Sequence, residues 1–325
     1  MVCVIGEALI DLVLDAESNP APDPAAGGDR TYTAHPGGSP FNVAIGLARL
    51  GQPSQLLGRV AVDAFGRQLR SHAEANGVDL STAVRAPEPS TLAVVSLDDD
   101  RNATYDFYVR GTADWQWTAE ELDRSPADTS WIHTGSLASW TAPGAAVIRE
   151  HLARRRATSQ AVVSYDPNIR PALMADHADA VAQVEATVTL SDVVKASAED
   201  LAFLYPDVPV DTVLRRWQEL GPRLLVVTEG AAGARVLGTD GTVFGVEGRT
   251  VDVVDTVGAG DAFMAGLINA LVRAGFHRDS AWQPAQTELR EVIDEAILVA
   301  ALTCARAGAD PPTAAELAAA GSRPD

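Results

Sequence analysis

The chain has 325 residues, 46% of them hydrophobic, enough to build a sizeable core in one large α/β domain or two small ones. Its 25 Lys+Arg against 44 Asp+Glu leave a formal charge of −19, which argues against nucleic acid or an anionic membrane as a partner. Two cysteines, Cys3 and Cys304, are too few for a disulfide framework, the start carries Glu7, Asp11 and Asp15 instead of the basic residues of a signal peptide, and no apolar run approaches the ~20 residues of a membrane span, so a reducing cytoplasm is the simplest home.

Val2, Val4 and Ile5, then Gly6-Glu7, then Leu9, Ile10, Leu12 and Val13 predict a buried first strand that ends near Gly6 and continues as an edge element carrying Asp11. Prolines 20, 22, 24 and 36 with Gly27-Gly28 make residues 15–36 a loop outside the core. Gly37 and Gly38 open a helix with Val43, Leu47 and Leu50 on one face, and Gly51 ends it. Asn42 lies in its first turn, as an ordinary cap or as a group reaching a ligand above the glycines. Residues 92–97 and 103–109 read as strands around Asp98-Asp99-Asp100-Arg101-Asn102, a carboxylate run better explained as a solvated hairpin turn than as a metal site. After Trp115 and Trp117, strands (131–134, 161–165, 193–194, 224–227) alternate with helices (145–156, 178–190), the pattern of a parallel sheet covered on both faces. The β-branched run 250–254 predicts one more strand, followed by a glycine turn and a helix on which Phe263, Leu267 and Leu271 share a face. Residues 311–325 are Ala-rich and predict a short helix with a frayed end.

Chemistry concentrates at Gly258-Ala259-Gly260-Asp261. Residues with almost no side chain at a helix N-terminus let backbone N–H groups and the positive dipole end meet an anion. Asp261, in the first helical turn, is either a helix-capping carboxylate or a base that takes a proton from a hydroxyl while the turn holds a phosphoryl group. Asp166-Pro167-Asn168-Ile169-Arg170 follows a buried strand, at the edge where ligands collect in open α/β sheets, although such a triplet is also an ordinary turn. Ser197-Ala198-Glu199-Asp200 fits a capped helix start, and Thr228-Glu229-Gly230-Ala231-Ala232-Gly233 alone fits a hairpin turn. No P-loop, complete dinucleotide fingerprint, G-x-S-x-G elbow or H-E-x-x-H pair occurs.

Together, Gly-Gly-Ser-Pro-Phe-Asn (37–42), the 58–66 stretch Gly-Arg-Val-Ala-Val-Asp-Ala-Phe-Gly, Asp-Pro-Asn-Ile-Arg (166–170), the 195–200 and 228–233 segments and Asp-Thr-Val-Gly-Ala-Gly-Asp-Ala-Phe (255–263) resemble, in order, the signatures of the PfkB or ribokinase-like family of carbohydrate and nucleoside kinases. The resemblance implies a single domain over residues 1–325: an α/β/α sandwich with a mainly parallel sheet, and a β lid from about residues 10–36 and 89–112 that could also pair in a homodimer. It implies ATP and a sugar as small-molecule substrates. Asp261 would be the base, and the amides of Gly258, Ala259, Gly260 and Asp261 would stabilise the phosphoryl oxygens. Arg170 would face the γ-phosphate or the sugar, and Asp11, Gly37, Gly38, Asn42, Phe107 and Asn168 would contact the sugar. Lys195, Ser197, Thr228, Gly230 and Gly233 would serve the nucleotide. Glu199 and Asp200 would organise Mg²⁺ through water, although Ser197 and Asp200 stand where the family carries Asn and Glu. Asp255 with Thr303, Arg306 and Gly308 would surround a monovalent cation, K⁺. Residues 107–115 and 135–140 are most similar to bacterial fructokinases, which implies fructose as the acceptor, with 2-keto-3-deoxygluconate, ribose or a nucleoside as alternatives and a non-catalytic sugar-binding regulator as the rival class.

Overall fold

In the computed structural model, which describes residues 1–14, 30–97, 103–174, 176–278 and 283–321, the apolar runs of the sequence line up as one central sheet. The chain begins β1 (Val2–Ile5), β2 (Leu9–Leu14), β3 (Tyr32–Gly37), α1 (Ser39–Arg49), β4 (Ser54–Leu57), β5 (Arg59–Ala61), α2 (Ala64–Ala75), β6 (Val84–Ala86), β7 (Leu92–Leu97) and β8 (Ala103–Tyr108). It continues α3 (Ala119–Leu122), β9 (Trp131–Gly135), α4 (Gly144–Thr158), β10 (Val162–Asp166), α5 (His177–Val188), β11 (Val193–Ser197), α6 (Ala198–Leu204) and α7 (Val210–Leu220). The last elements are β12 (Leu224–Thr228), β13 (Gly233–Leu237), β14 (Val243–Glu247), α8 (Ala259–Arg273), α9 (Gln286–Cys304) and α10 (Ala314–Gly321).

The large sheet has eight strands in the order β14-β13-β12-β11-β10-β9-β1-β4. Strands β4, β1, β9, β10, β11 and β12 run parallel, and at one edge β13 pairs antiparallel with β12 and β14 antiparallel with β13. Strand side chains alternate between faces. Val2, Val4, Trp131, Val162, Val193 and Val226 therefore pack with α1, α8 and α9 on one side. On the other side, Cys3, Ile5, Ile132 and Val163 pack with α4, while Tyr165, Val194, Leu225 and Val227 pack with α5, α6 and α7. Burial on both faces explains the near-continuous apolar strands, and the layers are those of the expected α/β/α sandwich.

A second, four-stranded sheet, β3-β2-β7-β8, takes its strands from the two stretches expected to form a lid. Two sequence expectations change here. Strand β2 is interior, paired antiparallel to β3 and parallel to β7, so Asp11 does not sit on an edge. Residues 32–37 are strand and not loop, because every one from Tyr32 to Gly37 has a partner on β2; Gly37 closes β3, which leaves Gly38 alone as the residue that opens α1. The hairpin turn expected at residues 98–102, and residues 15–29 of the expected loop, lie outside the described residues.

The predicted strand at 250–254 is also absent. Beyond Glu247 the chain leaves the sheet edge, and its β-branched side chains find no ladder to join: Val253 and Val254 are 62% and 64% exposed. The amides of Val254 and Asp255 instead donate to the Cys304 carbonyl at the end of α9. A β-branched run becomes a strand only where an edge receives it.

Candidate active site

The glycine turn forms as the sequence expects, for a steric reason. Gly258 caps α8 at φ 74°, in the left-handed region, and a Cβ there would lie 2.5 Å from the Cβ of Ala309. Ala259 donates its N–H to the Thr256 carbonyl, while the amides of Gly260 and Asp261 belong to a first turn whose N–H groups have no intrahelical acceptor. A Cβ on Gly260 would lie 3.2 Å from the Lys195 ammonium, so the bare glycine lets this cation abut the helix N-terminus. Lys195 is in turn held at 2.9 Å by the carboxylate of Asp166, and both side chains are buried.

Asp261, buried in the first turn of α8, accepts a 2.8 Å hydrogen bond from the Asn42 side-chain amide. Burial raises its pKa; the Ser39 hydroxyl, the Asn42 amide and the positive charges of Lys195 and Arg170 oppose the shift without cancelling it. A carboxylate poorly solvated by water and held ready for ionisation by nearby cations is a strong base. Asp11 joins the group from the small sheet. Burial pushes its carboxyl up to about 6, Arg170 pulls it down and the charge of Asp261 pushes it further up. Its position depends on Gly37, where a Cβ would fall 2.2 Å from an Asp11 carboxylate oxygen. Arg170 is oriented by bonds to the Asn168 side-chain oxygen at 2.6 Å and to the Ile169 carbonyl at 3.0 Å, and Asn168 itself takes φ 39°, a conformation Asn tolerates better than most residues. Asp11, Asn42, Asn168, Arg170 and Asp261 thus meet from β2, α1, the loop after β10 and α8.

The other expected residues fall into three places. Ser197 and Thr228 pair at the ends of β11 and β12, and Gly230 and Gly233, at φ 57° and 104°, close the β12–β13 hairpin, so the hairpin reading of that loop holds. Asp200 makes the capping box with Ser197, its carboxylate accepting from the Ser197 amide at 2.8 Å and from the Ile169 amide at 2.7 Å; only the remaining lone pairs face outward, and Glu199 is exposed. At the far side Asp255 accepts from the Gly308 amide at 2.8 Å, while the Thr303 carbonyl already takes the amide of Arg306 at 3.0 Å. Phe107 pairs with Ala93 across β7 and β8.

Asp166 and Ser39 were not singled out from sequence. Asp166 has a signal: an acid closing an otherwise apolar strand, in register beside the strand that ends Lys-Ala-Ser. Ser39 looks like any helix-start serine, and only the fold brings it to Asp261.

Because Asn42 holds the Asp261 carboxylate, Asn42→Ala is expected to raise KM for the phosphate acceptor and to lower kcat while leaving KM for the nucleotide within about twofold. Steady-state kinetics with each substrate varied in turn check this. Equal losses for both substrates would remove Asn42 from the acceptor side.

A helix N-terminus with free first-turn amides, a buried carboxylate in that turn and an adjoining layer that carries a second carboxylate have the layout of a phosphotransferase site. The chain belongs to the pfkB family of carbohydrate kinases, whose family model matches residues 1–315. It is 36% identical over 271 residues to a fructokinase of Rhizobium leguminosarum bv. trifolii, covering 83% of this chain and 79% of that one. In three dimensions it is similar to the fructokinase of Xylella fastidiosa with bound ATP, at TM-score 0.85 and 28% identity over 99% of each chain. It is also similar to a double mutant of the Vibrio cholerae O395 fructokinase with fructose, ADP and potassium ion bound, at TM-score 0.81 and 30% identity over 98% of this chain and 97% of that one.

Proposed function

We propose that this chain transfers the γ-phosphoryl group of MgATP to a hydroxyl of fructose. The observation that carries the reading is the buried Asp261 carboxylate, set at the α8 N-terminus and bonded to Asn42. Asp261 takes the proton of the sugar hydroxyl, and the first-turn amides of α8 with Lys195 stabilise charge on the phosphoryl oxygens. Asp11, Asn42, Asn168 and Gly38 hold the sugar, and Arg170 neutralises charge between Asp11 and Asp261. Mg²⁺ would neutralise charge on the phosphates, and Asp200 and Glu199 are the carboxylates that would hold it. Ser197, Thr228, Gly230 and Gly233 line the nucleotide side.

The four-stranded sheet acts as a lid that excludes water from the phosphoryl group. Its exposed Val13, Tyr32 and Tyr108 are the surface through which two copies would pair as a dimer. The 253–258 and 303–309 segments, joined by the Asp255 to Gly308 bond, hold a potassium ion through backbone carbonyls and so fix the turn. The Rhizobium and Xylella relatives support fructokinase chemistry, and the Vibrio enzyme with fructose and potassium ion bound supports the fructose and potassium assignments. Free thiols at Cys3 and Cys304 suit a reducing cytoplasm, and among the described residues no helix is long and apolar enough to cross a membrane.

A coupled ADP-release assay with MgATP against fructose, ribose, glucose, 2-keto-3-deoxygluconate and adenosine tests the reading. Fructose is expected to give the highest kcat/KM. A higher value for another acceptor would reassign the substrate, and silence across the panel with sugar binding retained would point to a regulator on the same fold.

A further inference from the structure

Two fully buried carboxylates outside the site occupy the place where the large sheet's body joins the small sheet. The chain enters the small sheet at Glu7-Ala8 and at Thr91, and leaves it at Gly37-Gly38 and after β8 through residues 109–114. Asp114, 1% exposed, lies in the last of these passages and accepts from the other two entry points: from the Ala8 amide at 2.9 Å and from the Thr91 hydroxyl. The Thr112 hydroxyl lies 2.6 Å from that of Thr91 and 2.9 Å from the Val109 carbonyl, and its single proton serves one of the two, which ties the passage out of β8 to this group. Glu7, 0% exposed, anchors the remaining passage. Its carboxylate accepts from the Ala138 amide at 3.0 Å on the body, with the Ser136 hydroxyl alongside. Its backbone and Cγ press on Gly38, where a Cβ would lie 2.9 Å from the Glu7 carbonyl oxygen.

Burying two acids is costly. Desolvation pushes both carboxyls up to about 7, and the second Glu7 oxygen has no partner. Apolar side chains would fill the same space at lower cost, but they could not bind the amides and hydroxyls of separate passages at once.

We propose that Glu7 and Asp114 are positioning residues that form the hinge of the small sheet and fix its angle over the acceptor site. The inference rests on the reading of that sheet as a lid over a sugar. It follows that loosening the hinge displaces Asp11 and Gly38, which sit on the strands and helix start it controls, and leaves the α8 turn untouched.

Amide hydrogen exchange on the ligand-free protein, followed by steady-state kinetics, tests the hinge in Asp114→Asn and in Thr91→Val. Asn accepts through one atom and donates through the other, so with the Ala8 amide kept, the charged acceptor of the Thr91 hydroxyl is lost and that hydroxyl must turn to accept. Thr91→Val removes the hydroxyl with little change of shape and serves if Asp114→Asn folds poorly. Both variants are expected to speed exchange in β2, β3, β7 and β8 by about tenfold or more, with β1, β9 and β10 unchanged. They are expected to raise KM for the sugar about tenfold while KM for ATP stays within about twofold. Equal acceleration in both sheets, or unchanged exchange with unchanged sugar KM, overturns the hinge. If wild type phosphorylates no sugar, the functional reading falls, and the exchange result still decides the hinge.

Discussion

Replacing Asp261 with alanine is expected to lower the phosphorylation rate by about 10²- to 10⁴-fold, the usual share of a positioned general base. Single-turnover assays at saturating ATP and sugar measure it. Retention of near-wild-type turnover would remove Asp261 as the base while leaving the fold and family intact. Asp261→Asn sharpens the test, because the amide keeps an oxygen to accept from Asn42. Burial holds the folded pKa of Asp261 above its unfolded value, so its ionisation costs stability that the protein loses as pH rises. Removing the charge should therefore leave stability at neutral pH equal or higher while activity collapses, a combination that a structural acid would not give. The same groups set the pH profile. As base, Asp261 must be ionised to take a proton, and Asp11 accepts through both oxygens only when ionised, so kcat/KM is expected to rise as pH increases through about 6, the value to which burial pushes Asp11, and then to level off.

The sequence motifs that proved most legible are those where a single steric demand fixes one residue. Gly258 is such a case: a left-handed backbone with Ala309 against it admits no side chain, and the residue is visible in the string alone. The alternating layers were readable for a similar reason, since strands buried on both faces need uninterrupted apolar runs. What stayed hidden depends on pairing partners distant in sequence. Thr250 to Val254 have strand composition but join no ladder, and they end on the carbonyl of Cys304. Tyr32 to Gly37 contain a proline and a glycine and read as loop, yet β2 supplies a partner for each of them. Glu7, Asp114 and Asp166 are acids in apolar surroundings, which marks them as unusual, but the donors that reach them from other elements lie 23 to 131 residues away and only the fold reveals them. Asp200 shows a limit of motif reading of another kind. Its place in the family pattern suggests magnesium, while its contacts are two backbone amides, so a structural bond and a water-mediated metal role compete for the same carboxylate.

Gly258→Ala is expected to damage the α8 turn and with it the activity. The added Cβ meets the Ala309 Cβ at 2.5 Å and its Cα at 2.9 Å, and alanine in the left-handed region costs about 1–2 kcal/mol in addition. Neither neighbour is the free end of a long side chain, so the turn itself has to move. Amides aimed at a developing phosphoryl charge lose their value with small displacements, and removing such a donor costs about 10²- to 10³-fold in kcat. We expect a loss of that size, with KM for ATP raised, and a modest fall in thermal stability. Gly260→Ala is the control. Its Cβ would lie 3.2 Å from the end of the Lys195 side chain, and α-helical backbone accepts alanine, so the strain is smaller. Lys195 is pinned to Asp166, however, and cannot withdraw freely; the displaced ammonium would weaken the same anion site from the other side. The expected order of activity is therefore wild type, then Gly260→Ala, then Gly258→Ala, measured as kcat at saturating ATP. A Gly258→Ala enzyme as active as wild type would mean that the α8 turn holds no charge in the transition state, and phosphoryl stabilisation would have to be sought at Lys195 and Arg170 alone.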